Sequence, residues 1–195
     1  MLSAIIATHD SERSLVPTLT ALVPGATAGL VREVILADAG SRDATAEVAE
    51  VAGCRLIASD APLPVRLAQA AQAARAPWLL FLTAGEVPQP GWVEETWRFI
   101  EDAAAAGQAD ATAAVFRAVS PSLRRVSPLR EAVTLLRQAA GLARSESRGL
   151  LIGRALYTGM VRDAAAASPA DHIGRIVRRL GRRRIVTLHS GATGT

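Results

Sequence analysis

Alternating strand and helix signals predict an α/β sandwich, a three-layer arrangement with a mostly parallel central sheet. Three observations carry that prediction. Short runs such as Val34-Ile35-Leu36 and Trp78-Leu79-Leu80-Phe81-Leu82 are apolar throughout, as strands covered on both faces are. Helical stripes stand between such runs, for instance Leu15, Leu19, Leu22 and Val23. The run ending at Leu36 breaks off at Asp38, turns through Gly40 and enters a helical pattern. That places a polar loop at a strand's carboxyl end, where open α/β sheets bind ligands.

The first strand is Ala4 to Ala7, and the helix after it carries the Leu15 to Val23 stripe, with Ser14 as a candidate cap and Pro17 tolerated in its first turn. The polar stretch Thr8-His9-Asp10-Ser11-Glu12-Arg13 lies between them. After the second strand, Ser41 or Asp43 can cap a helix with Ala44, Val48, Val51 and Ala52 as its stripe. Asp38 and Asp43 could equally do no more than satisfy turn and cap amides. Arg55 to Ala58 is a third strand, and residues 63–75 form an alanine-rich helix beginning near Pro64. Arg66 on that helix could meet a phosphate or simply face solvent. Trp78 to Leu82, the most apolar run, is the central buried strand. Pro90-Gly91-Trp92 then opens a helix with Val93, Trp97, Ile100 and Ala104 on one face. Ala111 to Val119 is the next strand, followed by an amphipathic helix on Leu129, Val133, Leu136 and Ala140. Its other face carries Arg130 and Arg137, with Arg124 and Arg125 just before. Ile173, Ile176, Val177 and Leu180 form a last helical stripe, which Asp171 could cap, and Ile185 to Leu188 a last strand. Residues 1–188 thus make one domain, and 189–195 are expected to be a disordered tail.

Composition narrows the function classes. Cys54 is the only cysteine, which excludes an internal disulfide and a cysteine-based zinc cluster. No apolar stretch reaches the roughly 20 residues that span a bilayer, and no signal peptide is evident, so a cytosolic protein is expected. There is no lysine, and the 22 arginines are unevenly placed. Residues 1–110 hold 7 Arg against 14 acids, net −7, and residues 111–195 hold 15 Arg against 4 acids, net +11. The carboxyl half therefore faces anions: a diphosphate, an anionic membrane surface, or nucleic acid. With only 4% aromatic residues available for base stacking, nucleic acid ranks last.

The segment Asp38-Ala39-Gly40-Ser41-Arg42-Asp43-Ala44-Thr45 resembles the nucleotide-binding loop of family 2 glycosyltransferases, whose usual form is V-V-D-D/G-G-S-x-D-x-T. The opening Ile5-Ile6-Ala7-Thr8-His9-Asp10-Ser11-Glu12-Arg13 is similar to the family's I-I-P-T-Y-N-E-E-R, and Pro90-Gly91-Trp92 matches its P-x-G-W. The resemblance covers nearly the whole chain and narrows the fold to GT-A, a Rossmann-like sandwich. It implies that Asp38 meets the nucleotide base and that Thr8, His9, Asp10 and Glu12 hold base and ribose. The glycine-rich segment the family places near the diphosphate is absent, leaving Arg66 as the nearest candidate.

The resemblance also implies a divalent cation, Mg²⁺ or Mn²⁺, held by two carboxylates in L-D-A-D. Here Leu82-Thr83-Ala84-Gly85-Glu86 puts Thr83 and Gly85 at those two positions. Glu86, one place late, could supply one carboxylate or be a solvated loop acid, and arginines could neutralise the diphosphate instead. Arg148-Gly149-Leu150-Leu151-Ile152-Gly153-Arg154-Ala155-Leu156-Tyr157 is similar to G-D-Q-G-L-F-V-R-R-A-L-F without its Gly-Asp-Gln, for which Glu146, Ser147 and Arg148 stand. Asp171 matches an acid of the family's E-D-x-E-L motif, with Ala170 for its Glu, which implies a general base deprotonating the acceptor.

The expected function is an inverting glycosyltransferase that moves a sugar from a nucleotide-diphosphate sugar, UDP-type favoured, to a hydroxyl or lipid-linked acceptor. A peripheral contact with an anionic membrane would accompany it. The alternative is a catalytically degenerate GT-A-fold protein that binds nucleotide-sugars or anionic surfaces, suggested by Thr83, Gly85, Ser147 and Ala170.

Overall fold

A computed structural model describes residues 1–119, 148–162, 172–181 and 184–194 of the 195. Its strands are β1 (Leu2–Thr8), β2 (Val31–Asp38), β3 (Arg55–Ala58), β4 (Trp78–Thr83), β5 (Glu86–Pro88), β6 (Ala113–Val119), β7 (Arg148–Gly153) and β8 (Ile185–Gly194). They form one sheet in the order β3-β2-β1-β4-β7-β6-β8-β5. From β3 to β4 every pairing is parallel. β7 runs antiparallel to β4 and β6, β6 pairs parallel with β8, and β8 pairs antiparallel with β5.

The helices are α1 (Glu12–Thr27), α2 (Thr45–Val51), α3 (Leu63–Ala73), α4 (Trp92–Ala105), α5 (Arg154–Arg162) and α6 (His172–Leu180). They cover both faces, and the strands divide their side chains between them with a period of two. Leu80 and Leu82 join Leu15, Leu22, Trp92 and Phe99 of α1 and α4 in one core. Leu79 and Phe81 join Leu67, Tyr157, Ile176 and Leu180 of α3, α5 and α6 in the other. This explains why β4 reads as unbroken apolar sequence: both of its faces are buried. Every residue from Trp78 to Leu82 is at most 5% exposed.

Tight packing joins α1 to α4. Trp92 donates its indole N–H to the Ala21 carbonyl at 3.1 Å. A Cβ added at Gly25 would lie 2.5 Å from Trp92 Cη2, so only glycine lets the indole seat there.

Several elements depart from expectation. α1 begins at Glu12, not after Ser14, because the loop before it is tied to the next loop. α2 buries Thr45 and Ala49, while Val51 is 91% exposed, so the expected stripe is rotated. In α4, Thr96, Phe99 and Ala103 are buried, and Ala104 is exposed. The stretch from 189 to 194 is not a disordered tail: it continues β8 through Gly194, with Ala192 fully buried between β6 and β5. The helix expected over Leu129–Ala140, with Arg124, Arg125, Arg130 and Arg137, lies outside the described residues. No helix among the described residues is long and apolar enough to cross a membrane.

Candidate nucleotide site

The order of the parallel strands sets where a ligand can sit. The chain leaves β1 toward β2 and β3 on one side, and β4 packs on the other. The carboxyl ends of β1 and β4 therefore flank a topological switch point, the usual ligand crevice of open α/β sheets.

Thr8 ends β1 and Asp38 ends β2, directly opposite in register. Asp38 is only 3% exposed, and four hydrogen bonds occupy its carboxylate. Oδ1 accepts from the hydroxyls of Thr8 (2.7 Å) and Ser41, and Oδ2 from the amides of Gly40 (2.9 Å) and Ser41 (2.7 Å). Gly40 takes a left-handed φ of 79°, which turns its amide back on the carboxylate. Burial pushes the Asp38 pKa up, but the four bonds together outweigh it and hold the group below its ordinary value. Asp38 thus satisfies the amides of its turn and two hydroxyls besides. A base N–H could reach this carboxylate only where the Thr8 or Ser41 hydroxyl rotates away.

The two loops are stitched together. The Asp10 amide donates to Ser41 Oγ, and Asp10 Oδ1 accepts from the Arg42 amide. The Ser11 amide donates to Thr45 Oγ1, and the Glu12 amide to Asp43. Asp43 also caps α2 by accepting from the Thr45 amide at 3.0 Å. Asp10 is the only non-glycine residue with positive φ among those described, at 45°. Aspartate tolerates that conformation better than most residues.

Thr8, Asp38 and Arg66 are brought together. Arg66 neither faces solvent nor points to an open phosphate site: it is 8% exposed, and its guanidinium donates to the carbonyls of Ala37, Thr8 (3.4 Å) and Ala61 (3.1 Å). His9 and Asp10 stand on the open rim, their side chains 67% and 51% exposed and 3.9 Å apart. Glu12 is exposed at the start of α1, where it lines an apolar groove of about 630 Å³ between α1 and α2 with Val16, Val48 and Val51. Asp171 lies outside the described residues.

At the end of β4 the chain turns tightly. The Ala84 amide donates to the Ala7 carbonyl, which locks the turn to β1, and the Gly85 amide donates to Thr18 Oγ1. The half-buried Glu86 is not a solvated loop acid. Its carboxylate accepts from the Thr83 amide at 2.9 Å and from the Gly149 amide, and it feels the charge of Arg148. Burial raises its pKa against those influences. This donor set does not fit a divalent cation. Thr83 offers a neutral hydroxyl, Gly85 no side chain, and Glu86 is already engaged by backbone amides. No group of three potential ligands converges among the described residues.

Two residues gain importance that the sequence did not show. Ser41, legible only as a helix cap, bridges Asp38 and Asp10. Arg148 stands at the head of β7 beside the β4 turn. Its position at the end of the absent Gly-Asp-Gln was the one available signal.

Comparison with known proteins gives a consistent picture. The family model described as Glycosyl transferase family 2 matches residues 3–150. No curated protein sequence matches significantly. Among solved structures, the chain is similar to glucosyl-3-phosphoglycerate synthase from Mycobacterium tuberculosis in complex with Mn²⁺, UDP and glucosyl-3-phosphoglycerate. The identity is 17% and the TM-score 0.59, covering all of this chain and 72% of that one. It is also similar to residues 1–349 of TarS from S. aureus, at 17% identity and TM-score 0.67, covering all of this chain and 60% of that one. At such identities the likeness concerns the fold, and the GT-A architecture is common to all three.

Proposed function

Because the chain belongs to glycosyl transferase family 2, we propose that it binds a nucleotide-diphosphate sugar at the carboxyl ends of β1, β2 and β4 and transfers the sugar to a hydroxyl acceptor with inversion. The observation that carries this reading is the buried Thr8–Asp38–Ser41 corner at the switch point, reached from an open rim formed by His9 and Asp10. In this reading the Thr8 or Ser41 hydroxyl turns toward the ligand, and Asp38 accepts the base N–H. His9, Asp10 and Glu12 border the ribose, and Arg66 holds the strand ends in place. The similar synthase binds UDP, and UDP-glucose with phosphoglyceric acid. We therefore favour a uridine nucleotide and an acceptor bearing a free hydroxyl, lipid-linked or not, met in the cytoplasm or at an anionic membrane surface.

In the reaction, Asp171 takes the proton of the acceptor hydroxyl, whose oxygen bonds to the anomeric carbon. The bond from that carbon to the nucleoside diphosphate breaks, and the diphosphate leaves with the electron pair. Calorimetric titration with UDP and GDP tests the binding half of the reading. UDP binding that Asp38→Ala abolishes is expected, and absence of binding by either nucleotide would overturn it. Sugar transfer that survives Asp171→Asn unchanged would remove Asp171 from the role of base.

A second reading rests on the donor set at Thr83 and Gly85. In it the chain binds the nucleotide-sugar without turning it over, and UDP binding would be found with no transfer to any hydroxyl acceptor.

A further inference from the structure

The end of β4 lacks the carboxylates a cation needs, yet it is not without positive charge. The Glu86 carboxylate accepts from the amides of both Thr83 and Gly149 and feels the charge of Arg148, which sets Arg148 close to the β4 turn. Thr83 is the exposed last residue of β4, at the mouth of the switch-point crevice. The backbone there is tightly constrained. Gly149 takes a left-handed φ of 64°, and a Cβ on it would lie 2.9 Å from Phe116 Cδ2 and 3.0 Å from Leu82 Cδ2. Its amide is tied to the Glu86 carboxylate. Arg148 therefore leaves the sheet from a fixed point. Its Nε is buried and has no hydrogen-bond acceptor among the described residues. A buried guanidinium N–H without a partner is costly, so this side chain is not held by hydrogen bonds at Nε and gains by reorienting toward an acceptor at the crevice.

We propose that Arg148, held in place by Gly149 and Glu86, takes the diphosphate of the nucleotide-sugar where a divalent cation would otherwise be required, so that nucleotide binding by this chain is metal-independent. The inference rests on the nucleotide-sugar reading above. A guanidinium stays charged at any working pH, and its planar fork matches two phosphate oxygens. The same contact stabilises the charge that the departing diphosphate gains. Glu86 serves as a positioning residue: it fixes the Gly149 amide and balances the arginine in the free protein.

The test is calorimetric titration with UDP, and ligand-observed NMR with uridine, each in EDTA and in Mn²⁺. Wild type, Arg148→Gln and Arg148→Lys are compared, with thermal melts confirming that each variant is folded. UDP is expected to bind equally in EDTA and Mn²⁺. Arg148→Gln should weaken UDP by about 10- to 100-fold, the size of a lost charge-assisted pair, and leave uridine unchanged. Arg148→Lys, which keeps the charge but not the fork, should fall between and serves should the glutamine variant not fold. UDP binding that strengthens tenfold or more with Mn²⁺, or that ignores Arg148→Gln, overturns the inference while the nucleotide reading stands. Wild type that binds neither UDP nor uridine overturns that reading and the inference with it.

Discussion

Arg66 and Asp38 are opposite charges in one buried corner, and their hydrogen bonds go elsewhere. The guanidinium donates to the main-chain carbonyls of Ala37 and Thr8, and the carboxylate is filled by hydroxyls and amides. Burial lowers the arginine's pKa, and the nearby Asp38 charge opposes that. The arginine thus clamps the ends of β1 and β2 together, one residue to either side of the ligand edge.

Replacing Arg66 with methionine should therefore act through the strand ends. Loss of charge-assisted bonds to buried carbonyls is expected to cost about 2–3 kcal/mol in urea unfolding. Arg66→Lys should recover little, because a single ammonium cannot serve three separate carbonyls in fork geometry. Full stability in Arg66→Met would mean that water replaces the clamp.

Ser41→Ala removes the hydroxyl that bridges Asp38 and the Asp10 amide. A loss of about 1–2 kcal/mol is expected. Hydrogen exchange should report the loosening at the amides of Asp10 and Arg42, while those inside β2 stay protected. Unchanged protection at both loops would show that the remaining bonds through Ser11 and Glu12 suffice.

Gly25→Ala tests the seat of Trp92. Alanine for glycine inside an exposed helix would stabilise by up to about 1 kcal/mol. Here the new methyl meets a buried ring, not a flexible side-chain end, so a net loss of about 1–3 kcal/mol is expected. Combining it with Trp92→Phe should give a loss smaller than the sum of the two single changes, since the smaller ring leaves the space. Simple additivity would show that helix α1 moves away from the indole instead.

Asp38 and Glu86 give opposite pH dependences. Asp38 titrates below its ordinary value when folded. Its contribution is present above pH 3.8 or so, the ordinary value, and is lost as pH falls through the lower folded value. Glu86 titrates above its ordinary value. Its contribution is full below about pH 4.5 and is lost as pH rises through the folded value. Against wild type, Glu86→Gln should accordingly gain melting temperature as pH is raised from about 4.5 toward 7, while Asp38→Asn should lose it as pH is raised toward about 4 from the acid side and stay level above that. Parallel curves for either variant and wild type would contradict the assigned shift.

Much of the fold was legible because burial on both faces leaves a plain mark: the Trp78–Leu82 run and the break at Asp38 announce a buried strand and a ligand loop without any tertiary knowledge. The position of Arg66 was not legible. Nothing in its helix announces a buried charge, and two of the three carbonyls it binds belong to residues 29 and 58 positions away. Nor was the second half of β8, since Ser190-Gly191-Ala192-Thr193-Gly194 has neither apolar alternation nor β-branched density. It becomes a strand because β6 and β5 supply pairing edges on both sides, a case of tertiary context overriding local propensity. At the nucleotide site, the identity of the loop was in the sequence. That its aspartate spends three acceptor positions on its own loop and a fourth on Thr8 was not.

That last strand has a consequence for the order of events during synthesis. β1, β2, β3 and β4 find their partners within the first 83 residues, so this part of the sheet can assemble while the remainder is still being translated. β5, by contrast, pairs among the described residues with β8 alone, and Glu86 lies opposite Gly194, 108 positions later. Closing so long a loop is slow compared with local pairing. The nucleoside corner is therefore expected to form early. The turn that carries Thr83 and Glu86 waits until Gly194 has been made, and an intermediate stalled before that point would carry the first without the second.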